Sequence, residues 1–152
     1  FRSPRWRSRV QYVSCVVGIV ASKINVPWAP ASLSPVTVVG CPIVREPDGL
    51  ARSSRNVYLS AAEREVAPAL HRALELGARM VQGGERDPAA VVEQIVTIVG
   101  HAPPFEIDYA EVVDPLTLQR PTRLESGAEV RLLVAARLGT PRLIDNLGVL
   151  VP

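Results

Sequence analysis

The chain has 152 residues, 47% of them hydrophobic and 21% charged, which is enough for one ordinary domain with a buried core. This balance excludes intrinsic disorder as the default interpretation. Residues 1–40 contain no acid and five bases: Arg2, Arg5, Arg7, Arg9 and Lys23. Since the net charge of the whole chain is only +2, that +5 leaves −3 for the remainder. The basic excess belongs to the N-terminal segment, so the charge does not predict nucleic-acid binding.

Residues 1–35 form a basic and apolar segment that differs in composition from the rest of the chain. Arginines precede an apolar run at residues 10–21, which is the outline of a targeting peptide. The run is too short to span a bilayer, which needs about 20 apolar residues, so no membrane partner is expected. Three interpretations stay open: a targeting segment, a disordered lead-in, or sequence foreign to the domain behind it. The last two are favoured because an acid-free composition is unusual for a folded segment.

The two cysteines, Cys15 and Cys41, have neither CxxC spacing nor a histidine cluster nearby. This pattern predicts no zinc site and no disulfide framework, so no metal ligand is assigned. Both thiols are interpreted as buried or idle, and the expected compartment is the reducing cytoplasm.

Residues 36–40, VTVVG, predict a short strand because β-branched residues run up to a glycine. A first helix is predicted from Ser60, which has capping-box spacing to Glu63. Pro68 lies about two turns further on and predicts a kink or a break. The apolar stripe of this helix comprises Ala67, Leu70, Leu74, Ala78, Met80 and Val81.

A second helix is predicted from the N-cap pair Asp87 and Pro88 to about Val99. Apolar residues cover much of its circumference, so substantial burial is expected. Three strands are predicted after it, at residues 105–114, 129–139 and 142–151. The first should place Phe105, Ile107 and Tyr109 on one face and Glu106, Asp108 and Ala110 on the other. Two helices packed on a three-stranded antiparallel sheet give an α+β fold class.

The segment VREPDGLARSSRN, Val44–Asn56, is the candidate site. Ser53, Ser54, Arg55 and the Asn56 amide supply hydrogen-bond donors, and the segment runs toward a helix start, a setting that favours anions. An ordinary surface connection explains the same residues, because Asp-Gly makes turns and exposed arginines are usually solvated. The chemistry alone leaves both interpretations open.

Other candidates are weaker. His71 and His101 are far apart in sequence and lack an acid at catalytic spacing, so both are interpreted as surface or capping residues. Arg142 and Asp145 are expected to pair across a turn or strand, which is worth only about 0–1 kcal/mol at a surface. No P-loop and no GxGxxG motif is present.

The stretch VVGCPIVREPDGLARSSRNVYLS resembles the second nucleotide-binding loop of the pantothenate synthetase (pantoate–β-alanine ligase) family. The resemblance continues in family order through GERD, IDYAEVVD, LLVAARLG and RLIDN, and covers about Val36–Pro152. It implies the condensation of pantoate with β-alanine through an acyl adenylate, with ATP and Mg²⁺. It also implies that residues 36–152 are the C-terminal lid domain of a Rossmann-like nucleotidyltransferase.

By motif position, the resemblance implies that Val44 contacts the adenine side of ATP, through its backbone. Arg52, Ser53, Ser54 and Arg55 would line the phosphates, and the last three would act in catalysis by gripping the triphosphate. Arg52 departs from the family, which usually has Leu or Met there. Its cation would favour phosphate if the position contributes mainly backbone contacts, and would weaken binding if the family side chain packs on adenine.

Residues 1–35 show no counterpart of the first ATP loop or of the pantoate-binding glutamines of the family. We therefore expect this chain to be inactive alone, and to be a monomer where full-length members are homodimers. Its expected partners are the small molecules ATP, pantoate and β-alanine. Two alternatives stay open: a non-catalytic nucleotide- or phosphate-binding module, and a structural remnant without a ligand.

Overall fold

The computed structural model describes residues 42–102 and 104–152, so the predicted N-terminal segment and the strand at residues 36–40 lie outside the described residues. The helices are a 3₁₀ helix, Ser54–Tyr58, and three α-helices: α1 (Ala61–Val66), α2 (Ala69–Gln82) and α3 (Pro88–Gly100). The strands are β1 (Phe105–Val113), β2 (Glu129–Leu138) and β3 (Arg142–Leu150). Two long helices and a three-stranded sheet confirm the predicted α+β class.

Local signals at the helix starts are confirmed. The Ser60 hydroxyl accepts from the Glu63 N–H at 3.3 Å, and the Glu63 carboxylate accepts from the Ser60 N–H at 2.7 Å. This reciprocal capping box starts α1. Pro68 ends it, because proline cannot donate the next backbone bond, and the predicted first helix is broken into α1 and α2. Asp87 caps α3 by accepting from the Ala89 N–H at 2.8 Å.

Helix α3 is less buried than its composition predicts. Only Val91, Ile95 and Val99 are fully buried, which is one face of the helix. Val96 on another face remains 39% exposed. The sheet covers one side of α3 and α2 packs beside it, so the described residues leave the rest of its apolar surface uncovered.

The sheet is an antiparallel meander in the order β1-β2-β3. Its β1–β2 register shifts between Ile107 and Tyr109, which marks a bulge at Asp108. The extra residue reverses the alternation beyond it, so Tyr109 is 39% exposed and Ala110 is buried. The predicted faces of Tyr109 and Ala110 were wrong for this reason.

The core lies between the helices and one face of the sheet. Fully buried side chains from both layers fill it: Leu70, Leu74 and Val81 from α2, Val91, Ile95 and Val99 from α3, and Val112, Leu132, Val134 and Leu138 from the sheet. Gly77 lets α2 approach closely, since a Cβ there would lie 3.2 Å from the methyl groups of both Ile95 and Leu132. None of the described helices is both long enough and apolar enough to span a membrane.

Replacement of Leu132 by alanine should lower the free energy of unfolding by about 2–5 kcal/mol, because it opens a cavity at the contact of α2, α3 and β2. Urea unfolding of the purified chain, followed by circular dichroism, measures this loss. Leu116→Ala is the matched control, since Leu116 is 74% exposed and the same truncation there should change stability by less than about 0.5 kcal/mol. Equal losses in the two variants would contradict the core assignment.

Candidate functional site

The segment that carries the candidate site is a β-hairpin followed by a 3₁₀ helix. Hydrogen bonds from the Arg52 N–H to the Val44 carbonyl, 2.9 Å, and from the Glu46 N–H to the Leu50 carbonyl, 2.8 Å, join its two arms. We call Val44–Arg52 the anchor hairpin. Its backbone is ordered by its own hydrogen bonds, in contrast to an irregular surface connection.

The turn of the anchor hairpin requires glycine. Gly49 has a φ of +92°, a left-handed conformation that residues with a Cβ rarely adopt. An added Cβ would also lie 2.6 Å from Cδ2 of His71, whose ring packs against the turn. The Asp48 carboxylate accepts from the Leu50 N–H at 3.1 Å and completes the turn.

Ser53 links the anchor hairpin to the 3₁₀ helix. Its hydroxyl accepts from the Arg55 N–H at 3.2 Å and caps the helix, while Ser54 and Arg55 are exposed. The Asn56 side-chain amide donates to the Ala51 carbonyl at 3.0 Å, so this predicted anion donor holds the segment instead. Ser54, Arg55 and Asn56 belong to the five-residue 3₁₀ helix, so these donors lie before α1 and not at the α-helix start that the sequence suggested.

A buried ion pair fixes the anchor hairpin to β3. Arg45 donates from Nη1 to one carboxylate oxygen of Asp145 at 2.7 Å and from Nη2 to the other at 2.9 Å. The Asp145 side chain is 3% exposed. The predicted pairing of Asp145 with Arg142 was therefore wrong, because Arg142 pairs with Asp108 at 2.5 Å. A single carboxylate within the apolar run of β3 was the sequence signal for a buried partner.

His71 is also better integrated than predicted. Its side chain is only 14% exposed, with Nε2 3.4 Å from the Glu75 carboxylate and Nδ1 3.8 Å from the Asp145 carboxylate. The interpretation of His71 as a surface or capping residue was wrong, because the turn at Gly49 covers it. His101 is an exposed C-cap residue whose Nδ1 lies 2.6 Å from the Thr97 carbonyl, as expected.

The arginines around the candidate site differ in whether they form ion pairs. Arg52 pairs with Glu46 at 3.3 Å, and Arg64 pairs with Asp48 at 2.5 Å. The Arg64 side chain, by hydrogen bonding to Asp48, lowers the pKa of that carboxyl below its usual range. By contrast, Arg55 forms no ion pair within residues 42–102 and 104–152. Its guanidinium is the cation in this region that is available to an incoming anion.

The described residues enclose only a small cavity at the candidate site. Ser53, Arg55 and Asn56 border a cavity of about 20 Å³, which also touches β3 at Asp145. Pockets that bury a nucleotide-sized ligand usually have volumes of about 300–1,000 Å³, so the described residues do not enclose a nucleotide here. A larger groove of about 480 Å³ lies between α3 and β1, at the opposite edge of the sheet, and contains none of the predicted site residues.

Val44, predicted for the adenine side of ATP, and Arg52, predicted to line the phosphates, both form contacts within the hairpin. The Val44 carbonyl already accepts from the Arg52 N–H at 2.9 Å. The Arg52 side chain is 59% exposed and turned toward Glu46. Among the described residues, no three histidine, cysteine, aspartate or glutamate side chains are grouped to hold a metal ion.

Comparison with known proteins gives one consistent result. Residues 29–148 match the family model described as Pantoate-beta-alanine ligase. A pantothenate synthetase from Nitratidesulfovibrio vulgaris (strain DSM 19637 / Miyazaki F) is 52% identical over 114 residues, which are 74% of this chain and 40% of that protein. A bifunctional pantoate ligase/cytidylate kinase from Synechococcus elongatus is 45% identical over 113 residues, 74% of this chain and 21% of that protein.

The solved structures agree with the sequence matches. The crystal structure of pantothenate synthetase from Thermus thermophilus superposes with a TM-score of 0.68 at 44% identity, covering 74% of this chain and 40% of that one. The chain spans about two-fifths of the length of the pantothenate synthetases that it matches. The similarity therefore extends over the described α+β unit and stops well short of the relatives' full length.

Gly49→Ala should destabilise the chain by about 1–3 kcal/mol, because it combines a left-handed backbone with a clash against His71. Gly84→Ala is the matched control: Gly84 has a φ of +104°, but nothing lies within 4 Å of an added Cβ. The excess loss of stability at Gly49, measured by urea unfolding, isolates the contact with His71. The double variant Gly49→Ala/His71→Ala should remove that excess, and an excess that persists would refute the packing described.

Proposed function

Since the chain belongs to the pantoate–β-alanine ligase family, we propose that it supplies the part of such a ligase that binds the phosphates of ATP. In this proposal Ser53, Ser54 and Arg55 hold the triphosphate while pantoate is converted to its acyl adenylate. The amine of β-alanine then displaces AMP to form pantothenate. The chain acts as a lid over the nucleotide and does not complete the reaction alone.

The observation that carries the proposal is the isolated charge of Arg55. Phosphate oxygens are bound best by a planar guanidinium together with hydroxyl and amide donors. Ser54 and Arg55 are exposed on a segment whose own backbone is already hydrogen-bonded, and the other cations at the hairpin are paired. A cation beside the leaving pyrophosphate would stabilise charge that develops in the transition state, which is the usual basis of such catalysis.

The lid interpretation is supported by the small enclosed volume. Because only about 20 Å³ is enclosed beside Ser53 and Arg55, the adenosine moiety and pantoate need a second surface. In this proposal that surface is supplied from outside the described residues. A loop that touches only the phosphates agrees with the exposure of Ser54 and Arg55 and with the absence of a nucleotide-sized pocket beside them within residues 42–102 and 104–152.

Mg²⁺ would arrive with the nucleotide. The described residues contain no cluster of three ligating side chains, and Mg²⁺ commonly binds substrate phosphates with few protein ligands. In this proposal the residues of the chain contact phosphate oxygens, and the metal neutralises the oxygens that they leave free. The proposed setting is the cytoplasm, with ATP, pantoate and β-alanine as partners and the chain itself as a monomer.

Titration of the chain with ATP and MgCl₂ should give a dissociation constant that rises about 10- to 100-fold in Arg55→Ala, since a charge-assisted hydrogen bond is worth about 1.5–3 kcal/mol. Isothermal titration calorimetry measures it. Arg79→Ala removes an equal charge from an exposed position in the last turn of α2, and serves as the control for non-specific attraction. Equal weakening in both variants would sink the phosphate-loop assignment.

Arg52→Leu, which restores a residue usual in the family, should weaken ATP binding less than Arg55→Ala does. The reason is that Arg52 is paired with Glu46 and offers less of its charge to phosphate. A tighter complex in Arg52→Leu would indicate that the family side chain packs on adenine. A loss as large as that of Arg55→Ala would show instead that Arg52 leaves Glu46 to bind phosphate.

Incubation of the chain with ATP, Mg²⁺, pantoate and β-alanine should release no AMP above background, because the described residues form one wall of the site. Coupled detection of AMP checks this. Sustained turnover that Arg55→Ala abolishes would disprove the claim of incompleteness. ATP binding without turnover is expected from a lid and equally from a non-catalytic nucleotide-binding module, and loss of binding in Arg55→Ala excludes a remnant without a ligand.

A further inference from the structure

We infer that Asp145 is a positioning residue for the phosphate-binding segment, although it touches none of the proposed ligand groups. It acts through Arg45, which joins β3 to the turn of the anchor hairpin. The purpose of this arrangement rests on the proposed function, whereas its geometry rests on the contacts of Arg45 alone.

The Arg45 guanidinium contacts both elements at once. Two nitrogens meet the two Asp145 oxygens at 2.7 and 2.9 Å, a bidentate arrangement that fixes the plane of the fork. The same nitrogens also donate to the carbonyl of Gly49 at 3.0 Å and to that of Asn146 at 3.3 Å. One side chain therefore connects the turn of the hairpin to the backbone and the side chain of β3.

Asp145 depends on Arg45 for its charge balance. A carboxylate that is 3% exposed needs a close cation or several donors, and besides Arg45 it receives the Asn146 N–H at 2.7 Å. His71 Nδ1 lies 3.8 Å away, too far for a hydrogen bond. A buried ion pair is often no more stabilising than apolar residues of similar size, so its worth lies in the orientation that it imposes.

The backbone between Gly49 and Ser53 is held by burial and by hydrogen bonds. Leu50 and Ala51 are buried at 4% and 6% exposure, and Ala51 forms a bridge with Arg45 across the hairpin. The next residue, Arg52, is held by the Val44 carbonyl, and Ser53 follows it directly as the helix cap. A displacement of the Arg45 fork must therefore be transmitted to the proposed phosphate donors.

The other ion pairs of the hairpin are poorer anchors. The Asp48 and Arg64 side chains are 41% and 36% exposed, and Arg52 pairs within the hairpin itself. Exposed pairs are screened by solvent and hold two flexible side chains weakly. The pair of Arg45 and Asp145, at 19% and 3% exposure, is the buried one that joins the hairpin to the sheet.

The test is amide hydrogen exchange of the full chain, in wild type and in Asp145→Asn, which keeps the shape and removes the charge. We expect the Arg52 and Asn56 amides to exchange at least about tenfold faster in the variant, through local opening. The amide of Leu132 in β2, which pairs with Leu147 rather than with Asp145, reports global stability in the same sample. Val99→Ala, a truncation in the core face of α3, is the control that lowers stability without touching the hairpin.

A second comparison tests whether Asp145 acts through Arg45. Arg45→Met should open the hairpin at least as far as Asp145→Asn, because it also removes the hydrogen bonds to the Gly49 and Asn146 carbonyls. The double variant Arg45→Met/Asp145→Asn should open it no further than Arg45→Met alone, because the shared link is already broken. Arg45→Lys keeps the positive charge and loses the bidentate hydrogen bonds, so we expect an intermediate rate of amide exchange. If Asp145→Asn does not fold, Arg45→Lys takes its place in the comparison. The inference would be overturned if the two substitutions had additive effects on exchange. It would also be overturned if exchange of the hairpin amides rose only as much as exchange in β2.

Measuring ATP binding on the same proteins distinguishes failure of the phosphate assignment from failure of the positioning role of Asp145. Asp145→Asn should raise the dissociation constant of Mg-ATP by about threefold or more, whereas Val99→Ala should leave it unchanged. If Arg55→Ala does not weaken ATP binding, the phosphate assignment fails, while hydrogen exchange still decides the anchor. If Arg55→Ala weakens binding and Asp145→Asn changes neither affinity nor exchange, Asp145 has no positioning role and the phosphate assignment stands.

Discussion

The ion pair between Arg45 and Asp145 is the constraint on which the candidate site depends. It joins two segments that lie 100 residues apart in the chain, and the buried carboxylate permits little freedom in their relative position. The exposed part of the site follows this link along the chain. The Gly49 carbonyl accepts a hydrogen bond from the same guanidinium, and Ser53 and Ser54 come a few residues after it. The other contacts that hold the hairpin are exposed ion pairs, the buried Leu50 and Ala51, and the packing of the Gly49 turn against His71.

The parts of the fold that sequence patterns predicted are those whose causes are local. The capping box of Ser60 and the break at Pro68 each involve residues within a few positions of one another, and both are as predicted. The faces of β1 were mispredicted because the alternation rule assumes an unbroken ladder. The bulge at Asp108 is set by pairing with β2, so residues 105–113 alone contain no sign of it.

The site shows the same division between local and distant causes. Its hydroxyls and Arg55 could be singled out from a short stretch, and the role proposed for them comes from resemblance to a family. Their support could not, because Arg45 and His71 each looked ordinary within their own neighbourhoods. The carboxylate of Asp145 stands in an apolar strand, which indicates a buried partner, yet no local rule names Arg45 over the nearer Arg142. Only the packing of the hairpin against α2 and β3 decides that choice.

Most arginines around the candidate site are already paired within the protein. Arg45 pairs with Asp145, and Arg64 pairs with Asp48, so both guanidinium groups hold the segment in place. Arg52, which departs from the family pattern, is balanced by Glu46 within the same hairpin. Its extra charge is therefore partly neutralised before a ligand arrives, so the departure adds less to the local potential than the sequence suggests. What remains is Arg55, which is exposed on the short 3₁₀ helix and forms no ion pair within residues 42–102 and 104–152.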